Sequence, residues 1–126
     1  MKKVLKTPNA PKSVGTYNQA IESNNFIFTS GQVGIDPASN KLVEGGLENE
    51  INQVLKNVDL ILKDSNLEKS HIVKLTVYLI DLNQFATVNK AFKNFFGRIK
   101  FPARSTVEVS KLPLGANVEI ECIASR

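Results

Sequence analysis

Apolar positions change their spacing along this chain, and each change marks a new element. Ala20 to Ser23 reads as a short strand and Asn24-Asn25 as a tight turn. Phe26-Ile27-Phe28-Thr29-Ser30 follows as a strand of aromatic and β-branched residues. Gly31 interrupts it, and a glycine inside a strand implies a bulge or the close approach of a ligand or backbone. Asp36-Pro37-Ala38-Ser39-Asn40 has the composition of a turn, with Lys41 to Val43 placed to pair back. Ahead of all this, Asn9-Ala10-Pro11 and Ser13-Val14-Gly15 read as an irregular entry segment.

The period then switches to that of a helix. Leu47, Ile51, Val54, Leu55, Val58, Ile61 and Leu62 form one apolar stripe, bounded by Gly45-Gly46 and Asp64-Ser65-Asn66. Ile72 to Ile80 alternates as a strand, with Val73, Leu75, Val77 and Leu79 on one face and Ile72, Lys74, Thr76, Tyr78 and Ile80 on the other. Asp81 is placed to cap a second helix, with Gln84 at the capping-box position. Leu82, Phe85, Val88, Phe92, Phe95 and Phe96 form that helix's stripe, and Gly97 ends it. Phe101 to Val109 and Val118 to Glu121 are the closing strands.

Strands, helix, strand, helix, strands predicts an α+β two-layer sandwich: one mixed β-sheet with both helices on one face, in a single domain over residues 1–126. If the last two strands form a hairpin about Lys111 to Ala116, then Arg104, Thr106, Glu108, Glu119 and Glu121 share the uncovered face. Ile72, Tyr78, Ile80 and Ile123 on that face call for a partner subunit.

Composition narrows the function classes. Hydrophobic content of 42% suits a folded domain. The net charge of +4 draws on Lys2, Lys3, Lys6 and Lys12, but no basic run or interleaved aromatics accompany them, which argues against nucleic-acid binding as the main role. Cys122 is the one cysteine, so no intrachain disulfide forms, and its alternation with Val118 and Ile120 makes it a core thiol. His71 is the one histidine and has no metal-ligand spacing around it. Met1 to Pro11 carries no apolar run after its lysines, so the expectation is a cytoplasmic protein without secretory signal or membrane span.

The chemistry concentrates in two places. Arg104 opens a β-branched strand just after Pro102, a pre-aimed fork for a carboxylate or phosphate. Glu119 alternates with Val118 and Ile120, which sets an ionisable group opposite an apolar face. A structural ion pair for Arg104 and a solvated strand position for Glu119 are the plain alternatives. Ser30 has no general base within sequence reach.

Pro102-Ala103-Arg104-Ser105-Thr106-Val107, then Leu112 and Val118-Glu119-Ile120, resembles the signature of the RidA/YjgF family. Asn9-Ala10-Pro11, Gly15-Thr16-Tyr17, Thr29-Ser30-Gly31-Gln32 and Asp81-Leu82-Asn83-Gln84-Phe85-Ala86-Thr87-Val88-Asn89 extend the resemblance over essentially the whole chain. It implies a chorismate-mutase-like homotrimer with clefts between subunits. The implied activity is that of a 2-iminobutanoate/2-iminopropanoate deaminase, hydrolysing reactive 2-imino acids to 2-oxo acids and ammonium. Arg104 would anchor the substrate carboxylate and Glu119 would position water. Backbone near Gly31 and Thr106 would hold substrate, Tyr17 would close the pocket beside Ser30, and Phe85 and Asn89 would line the cleft across the interface. The resemblance calls for no metal, no covalent nucleophile and no cofactor. A small-carboxylate-binding regulatory module, or an endoribonuclease or translation inhibitor, are the other roles family members carry. Two positions depart from the pattern: Thr106 stands where many members have cysteine, and Thr16 replaces a frequent proline before Tyr17.

Overall fold

The computed structural model describes residues 1–126. The chain runs β1 (Lys3–Leu5), β2 (Ala20–Ser23), β3 (Phe26–Thr29), β4 (Ile35–Asp36), β5 (Lys41–Leu42), α1 (Leu47–Asp64), β6 (Ile72–Leu79), α2 (Phe85–Phe96), β7 (Ala103–Glu108) and β8 (Val118–Ser125). Six strands form one sheet in the order β1-β2-β3-β8-β6-β7, and β4-β5 make a separate small ribbon. Only β6 and β7 pair in parallel, through the α2 crossover. Both helices cover the same face, so the layered α+β expectation holds.

Local chemistry explains the boundaries. Asn24 and Asn25 both take positive φ, which produces the tight turn between β2 and β3. Asn66 adopts the left-handed conformation after α1, and the Leu67 amide donates back to the Leu62 carbonyl at 2.9 Å, closing the helix end. Gly97 ends α2 with φ 58°. The start of α2 departs from expectation: Asp81 caps a 3-10 turn (Leu82–Gln84) by accepting from the Asn83 amide, and Gln84 makes no reciprocal side-chain bond.

Helix α1 buries Ile51, Val54, Leu55, Val58, Ile61 and Leu62 against Leu75, Val77 and Leu79 of β6 and Val118, Ile120 and Cys122 of β8. Helix α2 adds Val88, Ala91, Phe92 and Phe96. Each fully buried aliphatic or phenyl side chain contributes about 1.5–3 kcal/mol through area removed from water. The opposite face has no cover: Val4, Phe26, Phe28 and Val107 remain exposed there.

Two expectations about strands fail for identifiable reasons. A bulge in β6 places Ile72 opposite Ala124 and Lys74 opposite Ile123, so Val73 is the extra residue. Ile72 is therefore buried on the helix side, while Val73 faces solvent. The second failure is larger. Strands β7 and β8 form no hairpin, because β6 lies between them. Arg104, Thr106 and Glu108 pair with Leu75, Val77 and Leu79, and so point to the helix-covered side. Glu119 and Glu121 pair with Tyr78 and Thr76, and point to the open side. The five residues do not share a face.

Glu50, in the first turn of α1, is only 2% exposed and its carboxylate accepts from both the backbone amide and the side-chain amide of Asn117. Asn117 in turn accepts from the Ile80 amide, so this carboxylate fixes the point where β8 begins. Glu50→Ala leaves the Asn117 amide without its partner, at a cost of about 1–3 kcal/mol. Thermal melting should show a fall of roughly 3–10 °C, and Glu50→Gln, which keeps one accepting oxygen, should lose less.

Candidate active site

Two clefts hold the candidate residues, one on each side of the sheet. The first, on the open side, has a volume of about 680 Å³ and is lined by Tyr17, Ser30, Gly31, Gln32, Glu119 and Glu121 among others. The second, of about 380 Å³, lies where β7 meets α2 and is lined by Asn89, Phe92, Lys93, Phe101, Pro102 and Arg104.

A backbone irregularity builds the first cleft. Between the Phe28–Ile123 and Gln32–Ile120 pairings, the β3 side advances four residues while β8 advances three, so the Ser30-Gly31 segment bulges. The Thr29 hydroxyl fills the broken ladder by accepting from the Cys122 amide at 3.0 Å. Gly31 then lies so close to Glu119 that an added Cβ would sit 2.7 Å from its carboxyl carbon. The bulge reading of Gly31 is correct, and what it closely approaches is the Glu119 side chain, not a ligand or another backbone.

The entry segment closes one wall. Buried Gln19 accepts from the Thr7 amide at 2.7 Å and donates to the Pro11 carbonyl at 2.7 Å, which pins residues 7–11 over the sheet edge. The Tyr17 hydroxyl accepts from the Val14 amide at 3.2 Å, and its ring is half exposed on the cleft wall. Ser30 spends its hydroxyl on the Asn18 carbonyl, at 2.5 Å, which fits a positioning role and not a nucleophile.

Electrostatics single out Glu119. Burial, reinforced by the charge of neighbouring Glu121, pushes its carboxyl above the ordinary carboxylate value. Tyr78 donates to Glu121 Oε1 at 2.8 Å, and that bond holds the phenol's proton on more tightly than usual.

The second cleft presents a cation without a counter-ion. Arg104 Nη2 donates to Asn89 Oδ1 at 2.9 Å, and the guanidinium carbon lies 5.1 Å from the centroids of both Phe85 and Phe92. Burial lowers its pKa from the usual value, yet an arginine keeps its proton. Its partners are one neutral amide and two aromatic faces, and the ion pairs in the chain are Lys63–Asp59 and Arg126–Glu22. Glu108, four residues further along the same face of β7, accepts from the Leu82 amide through Oε1 instead. The ion-pair alternative for Arg104 is thus excluded within the chain. Most of the guanidinium donors remain for a ligand.

Thr106 behaves differently from its neighbours. Its hydroxyl is sealed from solvent and has no hydrogen-bond partner, so its side chain is not presented to either cleft. Cys122, the chain's one thiol, is buried with its pKa raised to about 11, chiefly by burial. His71 Nδ1 accepts from the Glu68 amide in a turn before β6.

Of the residues named from sequence, Tyr17, Ser30, Gly31 and Glu119 line the first cleft and Asn89 and Arg104 the second, a separation the sequence does not show. Sequence reasoning also missed the contribution of Phe92 and Phe101 to the arginine cleft. Phe92 reads as core, and it is buried, yet its ring also faces Arg104. A phenylalanine at Phe85 plus seven, two helical turns on, was the available signal.

The fold and its clefts define a two-layer α+β protein with an unpaired arginine on a sheet edge and, on the open face, a carboxyl raised above its ordinary value. The family model described as Endoribonuclease L-PSP matches residues 7–126. A mouse protein named 2-iminobutanoate/2-iminopropanoate deaminase is 45% identical over 98% of this chain and 91% of its own. Among solved structures, YyfA of the conserved Rid family from Yersinia pestis superposes with TM-score 0.97 at 45% identity, over 100% of both chains. Escherichia coli TdcF with bound serine gives 0.93 at 36% identity, over 98% of both. The chain belongs to the RidA/YjgF family.

The raised Glu119 carboxyl makes a stability prediction. The folded state disfavours its ionised form relative to the unfolded chain. That cost is absent while both states hold the proton, grows as pH rises through the unfolded value, and is complete above the folded one. Glu119→Gln should therefore melt higher than wild type at neutral pH, with the difference closing below about pH 4. Melting curves across that pH range check it.

Proposed function

We propose that this chain is a 2-imino-acid deaminase whose active site forms between subunits of a homotrimer. The observation that carries the reading is Arg104: a half-buried guanidinium, braced by Asn89, Phe85 and Phe92, with no carboxylate of its own chain paired to it. A planar 2-imino carboxylate is the small ligand that a two-pronged fork fits. The deaminase name of the mouse relative, over nearly the full chain, supports the choice of substrate.

The reaction needs a second group, and Glu119 supplies it. Water attacks the carbon of the protonated imine and gives one proton to the Glu119 carboxylate, forming a neutral tetrahedral carbinolamine. Glu119 returns that proton to nitrogen, and the C–N bond breaks as the hydroxyl becomes the carbonyl and its proton leaves with the ammonia as ammonium. The products are a 2-oxo acid and ammonium, and the carboxylate is restored. A carboxyl whose proton affinity is raised by burial is suited to both transfers. Tyr17, Ser30 and the bulged Gly31 backbone line the water side; Phe85 and Asn89 brace the carboxylate side, and Thr106 contributes backbone beside Arg104.

Arg104 and Glu119 point to opposite faces of one sheet, so a three- or four-carbon substrate cannot touch both within one protomer. A neighbouring copy resolves this by setting its β7 edge against the open cleft. The exposed Val4, Phe26 and Phe28 on the uncovered face are the apolar surface such packing would bury. Three copies arranged head to tail make three equivalent sites.

Two experiments test the reading. In the first, 2-iminopropanoate is generated in situ with a competing trapping amine, and its loss is followed. Wild type should accelerate hydrolysis, while Arg104→Ala should lose on the order of 100-fold in kcat/KM or more, as two charge-assisted contacts disappear. Arg104→Lys should fall nearly as far. No acceleration by wild type would overturn the reading; binding without turnover would favour the regulatory module instead.

In the second, two inactive variants, Arg104→Ala and Glu119→Gln, are unfolded together, refolded and assayed. Intersubunit sites should recover about one quarter of wild-type activity, because a random pairing unites the two intact halves that often. No recovery from a mixture of demonstrated mixed trimers would contradict the split site.

A further inference from the structure

The cleft that holds Glu119 contains a second carboxylate that the proposed reaction leaves unused. Glu121 lies two residues along β8 on the same face and lines the same cavity. It is not free to swing away, because Tyr78 of β6 donates to its Oε1 at 2.8 Å, and this bond is half buried. Tyr78 is itself the cross-strand partner of Glu119. The three side chains thus lie on one face, with Tyr78 bonded to Glu121 and directly across the ladder from Glu119.

We propose that Tyr78 and Glu121 are positioning residues for Glu119: their hydrogen bond fixes a second carboxylate beside it, so that Glu119 is the member of the pair that takes up the proton. The proposal rests on the deaminase reading only where it gives that proton a use.

The geometry divides the roles. Glu121 has a phenol as donor, and a carboxylate accepting that bond has no need of a proton of its own. Glu119 is given no donor by the protein: the nearest backbone, at Gly31, crowds its carboxyl without bonding it. Two carboxylates separated by about 7 Å along a strand repel each other, and the unbonded one yields. The direction of the Glu119 shift, with burial first and Glu121 second, agrees.

The other charged groups near Glu119 do not reverse this. Lys12 and Tyr17 of the entry segment line the cleft. Lys74, two rows along β6 from Tyr78, donates to the Ser105 hydroxyl at 2.9 Å and is drawn toward the β7 edge. Pro113 and Leu114 of the opposite loop bring no charge. Ser30 and Gln32, on the bulged segment, are neutral.

The test is a carboxyl-carbon NMR titration of the intact protein labelled at glutamate, with the Glu119 signal assigned by its loss in Glu119→Gln. In Glu121→Gln the Glu119 midpoint should fall by about one pH unit, the scale at which neighbouring sites couple. Tyr78→Phe should move it the same way by less, and Glu121→Asp should restore part of the shift. In the imine assay, the acidic limb of kcat/KM should move to lower pH by the same amount in Glu121→Gln. A Glu119 midpoint unchanged in a folded Glu121→Gln protein would overturn the proposal. The titration needs no turnover, so absent deaminase activity with a normal midpoint shift would defeat the functional reading and leave this one standing.

Discussion

Strand β6 sits between β7 and β8 and dictates the side on which each presents its charges. Leu75, Val77 and Leu79 must face the helices, because they supply the centre of the core. Parallel pairing then forces Arg104, Thr106 and Glu108 to the same side, and antiparallel pairing leaves Glu119 and Glu121 on the other. A slip of one residue in the β6–β8 ladder would bury two carboxylates and expose Val118, Ile120 and Cys122, and a slip in the β6–β7 ladder would turn Arg104 to the open side. The core therefore enforces the separation of cation and acid, and no local rearrangement of side chains can undo it.

Arg104 is tolerated on the helix side because β7 is the sheet edge. Helix α2 overlies it only in part, so the guanidinium rests on Phe85 and Phe92 with its outer donors toward a cleft. A deeper strand would demand a paired carboxylate, since an uncompensated buried charge costs several kcal/mol. The edge makes such a partner unnecessary and leaves the charge for an anionic ligand. On the other side, Glu119 owes its place to two backbone devices. The Ser30-Gly31 bulge brings glycine backbone against its carboxyl. The buried Glu50 anchors Asn117, two residues before it.

Much of this was legible from residue order. The stripe from Leu47 to Leu62, the Asn24-Asn25 turn, the Gly31 interruption and Gly97 at the end of α2 are local signals, and local chemistry produces each of them. What escaped was long-range. Nothing between Glu108 and Val118 records that β8 passes β7 and inserts beside β3, because strand order is decided by which apolar face finds the core. The bulge at Val73 is likewise invisible, as Ile72 and Val73 are equally apolar and only the register with Ala124 and Ile123 distinguishes them. The motifs pick out Arg104 and Glu119 as candidates, while their division between two faces depends on the ladder.

That division has a chemical consequence. If Arg104 and Glu119 faced each other in one protomer, they would form an ion pair, and the pair would lower the proton affinity of Glu119 and occupy the fork. Kept on opposite faces, the arginine finds no counter-ion within its own chain, and there the carboxyl feels burial and Glu121. In the proposed assembly a substrate carboxylate comes between the two, so that it meets the cation while the reacting carbon faces the acid. Thr106 fits this division of labour. Its hydroxyl is sealed inside the protein, so in the proposed site only its backbone is available and no thiol chemistry is asked of the position.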